Sequence, residues 1–127
     1  MFQKNEAVMK ILVIIVSYNF ERWINRCLGS LRNSSYPADI MVVDNGSNDQ
    51  TTDIIEKEYP EVRLVKTGQN LGFGKANNIG MKVAMNEGYN CVFLLNQDAW
   101  IGTETIGTLI KISVNSRFLF INKIFIK

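Results

Sequence analysis

Four short apolar runs punctuate the chain: residues 11–16, 40–43, 62–65 and 91–95. Each is bounded by polar or turn-forming residues, and runs of this length predict buried strands. The intervening segments change period. Trp23, Ile24, Cys27, Leu28 and Leu31 recur at helical spacing over residues 21–32, forming one apolar stripe, and Tyr36-Pro37 closes that helix. Ser47, followed three residues later by Gln50, fits a capping box for a second helix through Tyr59, with Ile54, Ile55 and Tyr59 inward and Pro60 as its end. A third helix is predicted from about Lys75 to Glu87, with Gly88 at C′, and a fourth from Thr103 to about Val114, with Ile106, Leu109 and Ile110 facing in. Strands alternating with helices of this length predict an α/β fold whose mostly parallel sheet is covered on both faces.

The strand ends carry the chemistry. The first run stops at Ser17-Tyr18-Asn19, the second at Asp44-Asn45 and the fourth at Asn96-Gln97-Asp98. In open α/β sheets ligands bind beyond the carboxyl ends of strands, so three polar termini at one edge imply a shared ligand. Each segment also has a plainer reading. Asn45-Gly46 is a turn and Ser47 a cap, which leaves Asp44 to accept hydrogen bonds from neighbouring backbone amides or from a base N–H. Asp98 either caps the turn before Trp100 or offers a hard divalent cation an oxygen that it would share with substrate phosphates. The stretch from Asn70 to Gly80 is Gly- and Asn-rich but lacks the GxxxxGK[ST] of a P-loop, and it follows the third strand rather than the first. Read alone, it is a turn and helix start with a close-packing Gly80.

Composition narrows the classes. The chain has 127 residues, 46% hydrophobic and 20% charged, with a net charge of +2. That balance argues for one globular domain and against a nucleic-acid surface. No run approaches the ~20 apolar residues that span a bilayer, and an intracellular location is expected. There is no His, so acid–base chemistry must rest on carboxylates. Cys27 and Cys91 lack CxxC spacing and are expected as packed, reduced thiols. A phosphoacceptor signalling domain also ends parallel strands in Asp, but it needs an acidic pair after the first strand, and Ser17-Tyr18-Asn19 supplies none.

Taken in order, these segments resemble family 2 of the inverting GT-A glycosyltransferases, over residues 11 to about 112. Ile14-Ile15-Val16-Ser17-Tyr18-Asn19 looks like the family's first-strand signature, and Val42-Val43-Asp44-Asn45-Gly46-Ser47-Asn48-Asp49 like its VVDN-S-D element. Asn70-Leu71-Gly72-Phe73-Gly74 with Ala76-Asn77-Asn78-Ile79-Gly80 is similar to the NxGfgxAxNxG segment of rhamnosyltransferase-like members. Leu95-Asn96-Gln97-Asp98 stands at the DxD position, with Asn96 replacing the first Asp.

The resemblance implies a three-layer α/β/α nucleotide-diphospho-sugar transferase fold with strand order 3-2-1-4. It also implies transfer of a sugar from a nucleoside diphosphate donor, UDP- or dTDP-linked, to a saccharide or lipid-linked acceptor. Ser17, Tyr18, Asn19, Asp44, Asn78 and Asn96 would then bind the nucleotide, and Asp98 would hold Mg²⁺ or Mn²⁺. The family's general base has no match here, and the catalytic residue is unassigned. Residues 1–8 read as an extension, 9–116 as the nucleotide-sugar-binding domain and 117–127 as an atypical tail. That tail carries alternating Phe118 and Phe120 followed by Ile124-Phe125-Ile126, and would form a strand or stay partly exposed. A truncated or frame-altered N-terminal part is therefore expected, inactive or slow in transfer, located in the cytoplasm or against the inner face of the membrane. Uncovered apolar surface would favour a homo-oligomer. The alternative is a module that binds a nucleotide or nucleotide-sugar without turnover.

Overall fold

Strand β1, Ile11–Ser17, occupies the middle of a five-stranded parallel sheet in a computed structural model that describes residues 9–113 and the backbone of 114 and 124–126. Along the chain follow α1 (Ile24–Arg32), β2 (Asp39–Asp44), α2 (Thr51–Glu58), β3 (Arg63–Lys66), α3 (Phe73–Asn86), β4 (Cys91–Leu95), α4 (Thr105–Val114) and β5 (Ile124–Ile126). The sheet order is β3-β2-β1-β4-β5. The expected order 3-2-1-4 is present, and β5 extends it by pairing in parallel with β4, Phe93 opposite Ile124 through Leu95 opposite Ile126. The positions of Phe118 and Phe120, like residues 1–8, lie outside the described residues.

Side chains of a strand alternate between faces, and β1 shows why its sequence is continuously apolar. Ile11, Val13 and Ile15 join the larger core layer with Ile24, Cys27, Leu28 and Leu31 of α1, Ile55 of α2, and Ile106 and Ile110 of α4. Leu12 and Ile14 join the other layer, with Ala76 and Ala84 of α3. Both faces are thus covered, giving the three-layer arrangement. No helix among the described residues is long and apolar enough to cross a membrane.

Helix α3 approaches β1 closely at Gly80. A Cβ built there would lie 2.7–2.9 Å from three carbons of Ile14, a side chain that is itself fully buried. Gly80→Ala is therefore expected to destabilise the fold by about 1–3 kcal/mol through overpacking. Gly29 of α1, whose added Cβ would meet only the Tyr59 hydroxyl at 4.0 Å, provides the control. Gly29→Ala should leave stability unchanged or raise it by roughly 0.5–1 kcal/mol. Urea denaturation midpoints read both.

The predicted capping box does not form. Helix α2 begins at Thr51, and its N-cap Gln50 makes no side-chain cap bond. The Ser47 hydroxyl is instead drawn to the Asp44 carboxylate and accepts from the Asn19 amide. Asp49 takes over the helix start, accepting from the Thr51 N–H at 3.0 Å. Other ends move by small amounts: β3 starts one residue later than its apolar run, α1 at Ile24 rather than Glu21, and α3 at Phe73, two residues before Lys75.

Candidate functional site

Because β1 and β2 run parallel in register, Ser17 lies beside Asp44 at the carboxyl edge of the sheet. Asp44 is 2% exposed. Its carboxylate accepts the Ser17 hydroxyl at 2.7 Å, the Ser47 hydroxyl, and the Ser47 N–H at 3.0 Å. A buried carboxylate is tolerated only when its lone pairs are taken up in this way. Its partners therefore include one neighbouring backbone amide and two hydroxyls, and these tie the loop after β2 to the end of β1.

The same two loops are joined further out. The Asn19 N–H donates to the Ser47 hydroxyl at 2.9 Å, and the Asn48 N–H donates to the Asn19 side-chain oxygen at 2.8 Å. The Phe20 N–H donates to the Thr51 hydroxyl at 2.8 Å and the Glu21 N–H to the Asp49 carboxylate at 3.1 Å. Asn19 takes φ +50°, the left-handed region that Asn tolerates better than most residues. Asp49 sits below the usual carboxylate range. Its partial desolvation opposes that shift, and the donors from Thr51 and Glu21 outweigh it.

Two amide side chains bind backbone across this edge. Gln97, after β4, accepts the Tyr18 N–H at 2.9 Å and donates to the Tyr18 carbonyl at 3.2 Å. Asn45, after β2, donates to the Gly72 carbonyl at 3.2 Å and accepts the Leu71 N–H at 3.3 Å. The Gly-rich segment before α3 is thereby held against β2. Gly46 is required at this junction, since it adopts φ +79° and an added Cβ would lie 3.0 Å from the Gln69 backbone.

These loops enclose a cavity of about 520 Å³ lined by Val16, Tyr18, Trp23, Asn45, Asn70, Gly72, Phe73, Asn96, Gln97 and Asp98. Of the residues expected from sequence, Tyr18, Asn96 and Asp98 are on the wall. Ser17 and Asp44 are buried outside the lining, Asn19 is engaged in the loop network, and Asn78 is exposed on α3 outside the lining. Trp23, Asn45, Asn70, Phe73 and Gln97 were not assigned to a ligand by the sequence. Trp23 belonged to the apolar stripe of α1 and does pack against the larger core layer, and from its place one residue before the helix it lines the cavity as well. Tyr18 and Phe73 are about half exposed, so aromatic faces are available to a planar ligand.

Asp98 is the one charged residue on the wall among the described residues. No hydrogen bond or ion pair reaches its carboxylate among them either. Its charge is felt by Cys27, whose thiol is pushed up to about 12, first by burial and then by Asp98. Trp100, two residues on, is half exposed, and the Arg26 guanidinium stacks over its ring at 3.4 Å. No group of three His, Cys, Asp or Glu side chains placed to hold a metal ion occurs among the described residues. The described residues alone do not close a shell around a cation. One available carboxylate with the Asn96 amide beside it is instead a partial oxygen-donor set, of the kind that Mg²⁺ or Mn²⁺ completes with phosphate oxygens and water.

The sequence profile described as Glycosyl transferase family 2 matches residues 12–118. Among curated proteins, the poly(ribitol-phosphate) β-N-acetylglucosaminyltransferase TarS of Staphylococcus aureus is 34% identical over 106 residues, 78% of this chain and 18% of TarS. The N-acetylglucosaminyl-diphospho-decaprenol L-rhamnosyltransferase of Mycobacterium tuberculosis is 40% identical over 67 residues, 52% of this chain and 22% of that protein. The crystal structure of TarS 1–349 with UDP-GlcNAc superposes with a TM-score of 0.72 at 31% identity, covering 81% of this chain and 30% of that one. The mannosyltransferase PcManGT of Pyrobaculum calidifontis, solved with GDP-Man and Mn²⁺, shares the fold with a TM-score of 0.73 at 24% identity, covering 83% and 32%. The chain thus spans about a fifth of the length of the curated relatives it matches.

Proposed function

Since the chain belongs to glycosyl transferase family 2, we propose that the cavity at the carboxyl edge of its sheet is the donor site of a reaction that moves a sugar from a nucleoside diphosphate to an acceptor hydroxyl. The observation that carries this reading is the charge pattern of the wall: among the described residues, aromatic faces and amides surround a single available carboxylate, Asp98. A diphosphate beside a lone carboxylate is repelled unless a cation joins them. The wall therefore suits a nucleotide only as a complex with a divalent ion, and Asp98 is the residue to hold it. When bound, Mg²⁺ or Mn²⁺ supplies charge neutralisation on the departing diphosphate.

Tyr18 offers its ring to the nucleobase, and Asn96 offers amide groups to a ribose hydroxyl. Ser17, Asp44 and Asn19 act from beneath, by fixing the loop that carries Tyr18, while Asn45 fixes the Gly-rich segment opposite. UDP is the nucleotide of choice because TarS is solved with a uridine donor, with dTDP as its near neighbour. The acceptor class is a saccharide or a lipid-linked saccharide.

A second reading, donor binding without turnover, is favoured by the wall itself. Among the described residues no lining residue other than Asp98 is a carboxylate, and general-base removal of the acceptor proton typically contributes ~10²–10⁴-fold. Calorimetric titration with UDP, dTDP and GDP in the presence of Mn²⁺ tests the donor site, with UDP expected to bind and saturate one site. Failure of every nucleotide to bind at millimolar concentration would overturn it. Release of UDP from UDP-sugars, followed with a saccharide acceptor, separates the two readings: release that rises with acceptor selects transfer, and binding with no release selects the module.

A further inference from the structure

The Tyr18 loop and the Asp98 loop leave neighbouring strands, β1 and β4, and both line the cavity. Gln97 is the link between them. Its amide oxygen takes the Tyr18 N–H at 2.9 Å, and its amide nitrogen donates to the Tyr18 carbonyl at 3.2 Å. One planar group thus meets both polar atoms of one residue's backbone, as a neighbouring strand would. The ring itself is held far less firmly: Tyr18 is 42% exposed, and among the described residues its hydroxyl meets only the Asn48 amide nitrogen at 3.3 Å. Beside it, Asn19 holds a left-handed conformation that is sparsely populated for side-chain-bearing residues. A loop with such a residue at its centre stays in one shape only when its neighbours hold it there.

We infer that Gln97 is a positioning residue for the nucleoside: it fixes the Tyr18 backbone, and through it the Tyr18 ring, in the geometry that receives the base. This role rests on the donor-site reading and deepens it, because it assigns a task to the residue between Asn96 and Asp98. Gln97 is followed directly by Asp98, so the same contact links the base-binding loop to the carboxylate loop. The chemistry needs both ends of an amide. A carboxylate in its place would still accept the Tyr18 N–H but would set a second oxygen against the Tyr18 carbonyl.

The test uses the 127-residue chain with UDP and Mn²⁺, and with Gln97→Ala, Gln97→Glu, Tyr18→Ala and the double variant Tyr18→Ala with Gln97→Ala. Each Gln97 change alone is expected to weaken UDP about tenfold, in line with loss of a pre-organising contact. In the Tyr18→Ala background, Gln97→Ala should cost less than about twofold further, since the group it positions is gone. Hydrogen exchange in the ligand-free chain provides an independent reading: the Tyr18 amide should be protected in the wild type and exchange faster in Gln97→Ala, with the core amides of β1 unchanged. Additive losses in the double variant would mean that Gln97 meets the nucleotide itself and would overturn the inference, as would unchanged UDP affinity or unchanged Tyr18 exchange. Loss of β1 protection in Gln97→Ala would reassign the residue to general folding and also overturn it. A wild type that binds no UDP, with Tyr18 exchange responding as expected, would overturn the donor-site reading and this role with it, while leaving the contact itself established.

Discussion

Replacing Asp44 by alanine is expected to lower the stability of the chain by about 2–4 kcal/mol and to weaken UDP at the same time. The carboxylate is buried and accepts two hydroxyls and one backbone N–H. Its removal strands the Ser47 N–H and both hydroxyls in a site with little access to water, and hydrogen bonds to charged groups contribute roughly 1.5–3 kcal/mol each before such donors find new partners. Against a total stability of about 5–15 kcal/mol for a domain of this kind, that is a large fraction. The loop after β2 would lose its anchor to β1, and with it the support for Asn19 and Tyr18. Asp49→Ala removes only a helix start and a loop contact at a far less buried position, and should cost about 1 kcal/mol. Urea denaturation with UDP titration on both variants checks the ranking, and equal losses would contradict it.

Asp98→Asn should abolish the linkage between metal and nucleotide while leaving the fold intact. In the wild type, Mn²⁺ is expected to tighten UDP by about 5–150-fold, the usual span of coupling between two sites. Reciprocity then requires UDP to tighten Mn²⁺ by the same factor. With one carboxylate on the wall and no cluster of three ligands among the described residues, Mn²⁺ alone should bind weakly. The amide in the variant keeps the shape but not the charge, so the UDP isotherm should become the same with and without Mn²⁺. Its thermal midpoint should stay within a degree or two of the wild type, because the Asp98 side chain is exposed and takes no hydrogen bond among the described residues. Tight Mn²⁺ binding without nucleotide, or retained linkage in Asp98→Asn, would contradict this assignment.

Strands β1, β2 and β4 were legible in the sequence because parallel strands buried on both faces read as unbroken apolar runs, while β3, a partly exposed edge strand, showed only a short run interrupted by Arg63. The polar ends of β1, β2 and β4 were legible for the same reason: Ser17, Asp44 and Asn96 mark where the apolar runs stop, although Ser17 and Asp44 are themselves buried. The wiring between those ends was not. The contacts of Gln97 with Tyr18 and of Asn45 with Leu71 and Gly72 join loops 79 and about 26 residues apart, and nothing local distinguishes an amide that binds distant backbone from one that faces water. Ser47 misled in a related way. Its spacing to Gln50 satisfies a local capping rule, but the buried carboxylate of Asp44 competes for the hydroxyl, and a charged acceptor outbids a neutral helix end. Trp23 and Phe73 had the right chemistry for a wall but were read by periodicity or as part of a turn. The one clue available was their position just outside or at the first residue of a helix, where a large side chain can reach the carboxyl edge of the sheet, Trp23 while still packed against the core and Phe73 while exposed. A strand at Ile124–Ile126 was foreseen only as one of two options, since three apolar residues fit a strand or an exposed tail equally well, and its place beside β4 was not foreseen.

The most direct test of the donor site is a crystal structure of the chain grown with UDP and Mn²⁺ at millimolar concentration. The expected result is nucleotide density within the cavity between Tyr18 and Phe73, with the diphosphate and a metal peak, identified by anomalous scattering, against the Asp98 carboxylate. A nucleotide bound elsewhere on the chain, or a fully ordered cavity that holds neither UDP nor Mn²⁺ under those conditions, would contradict it.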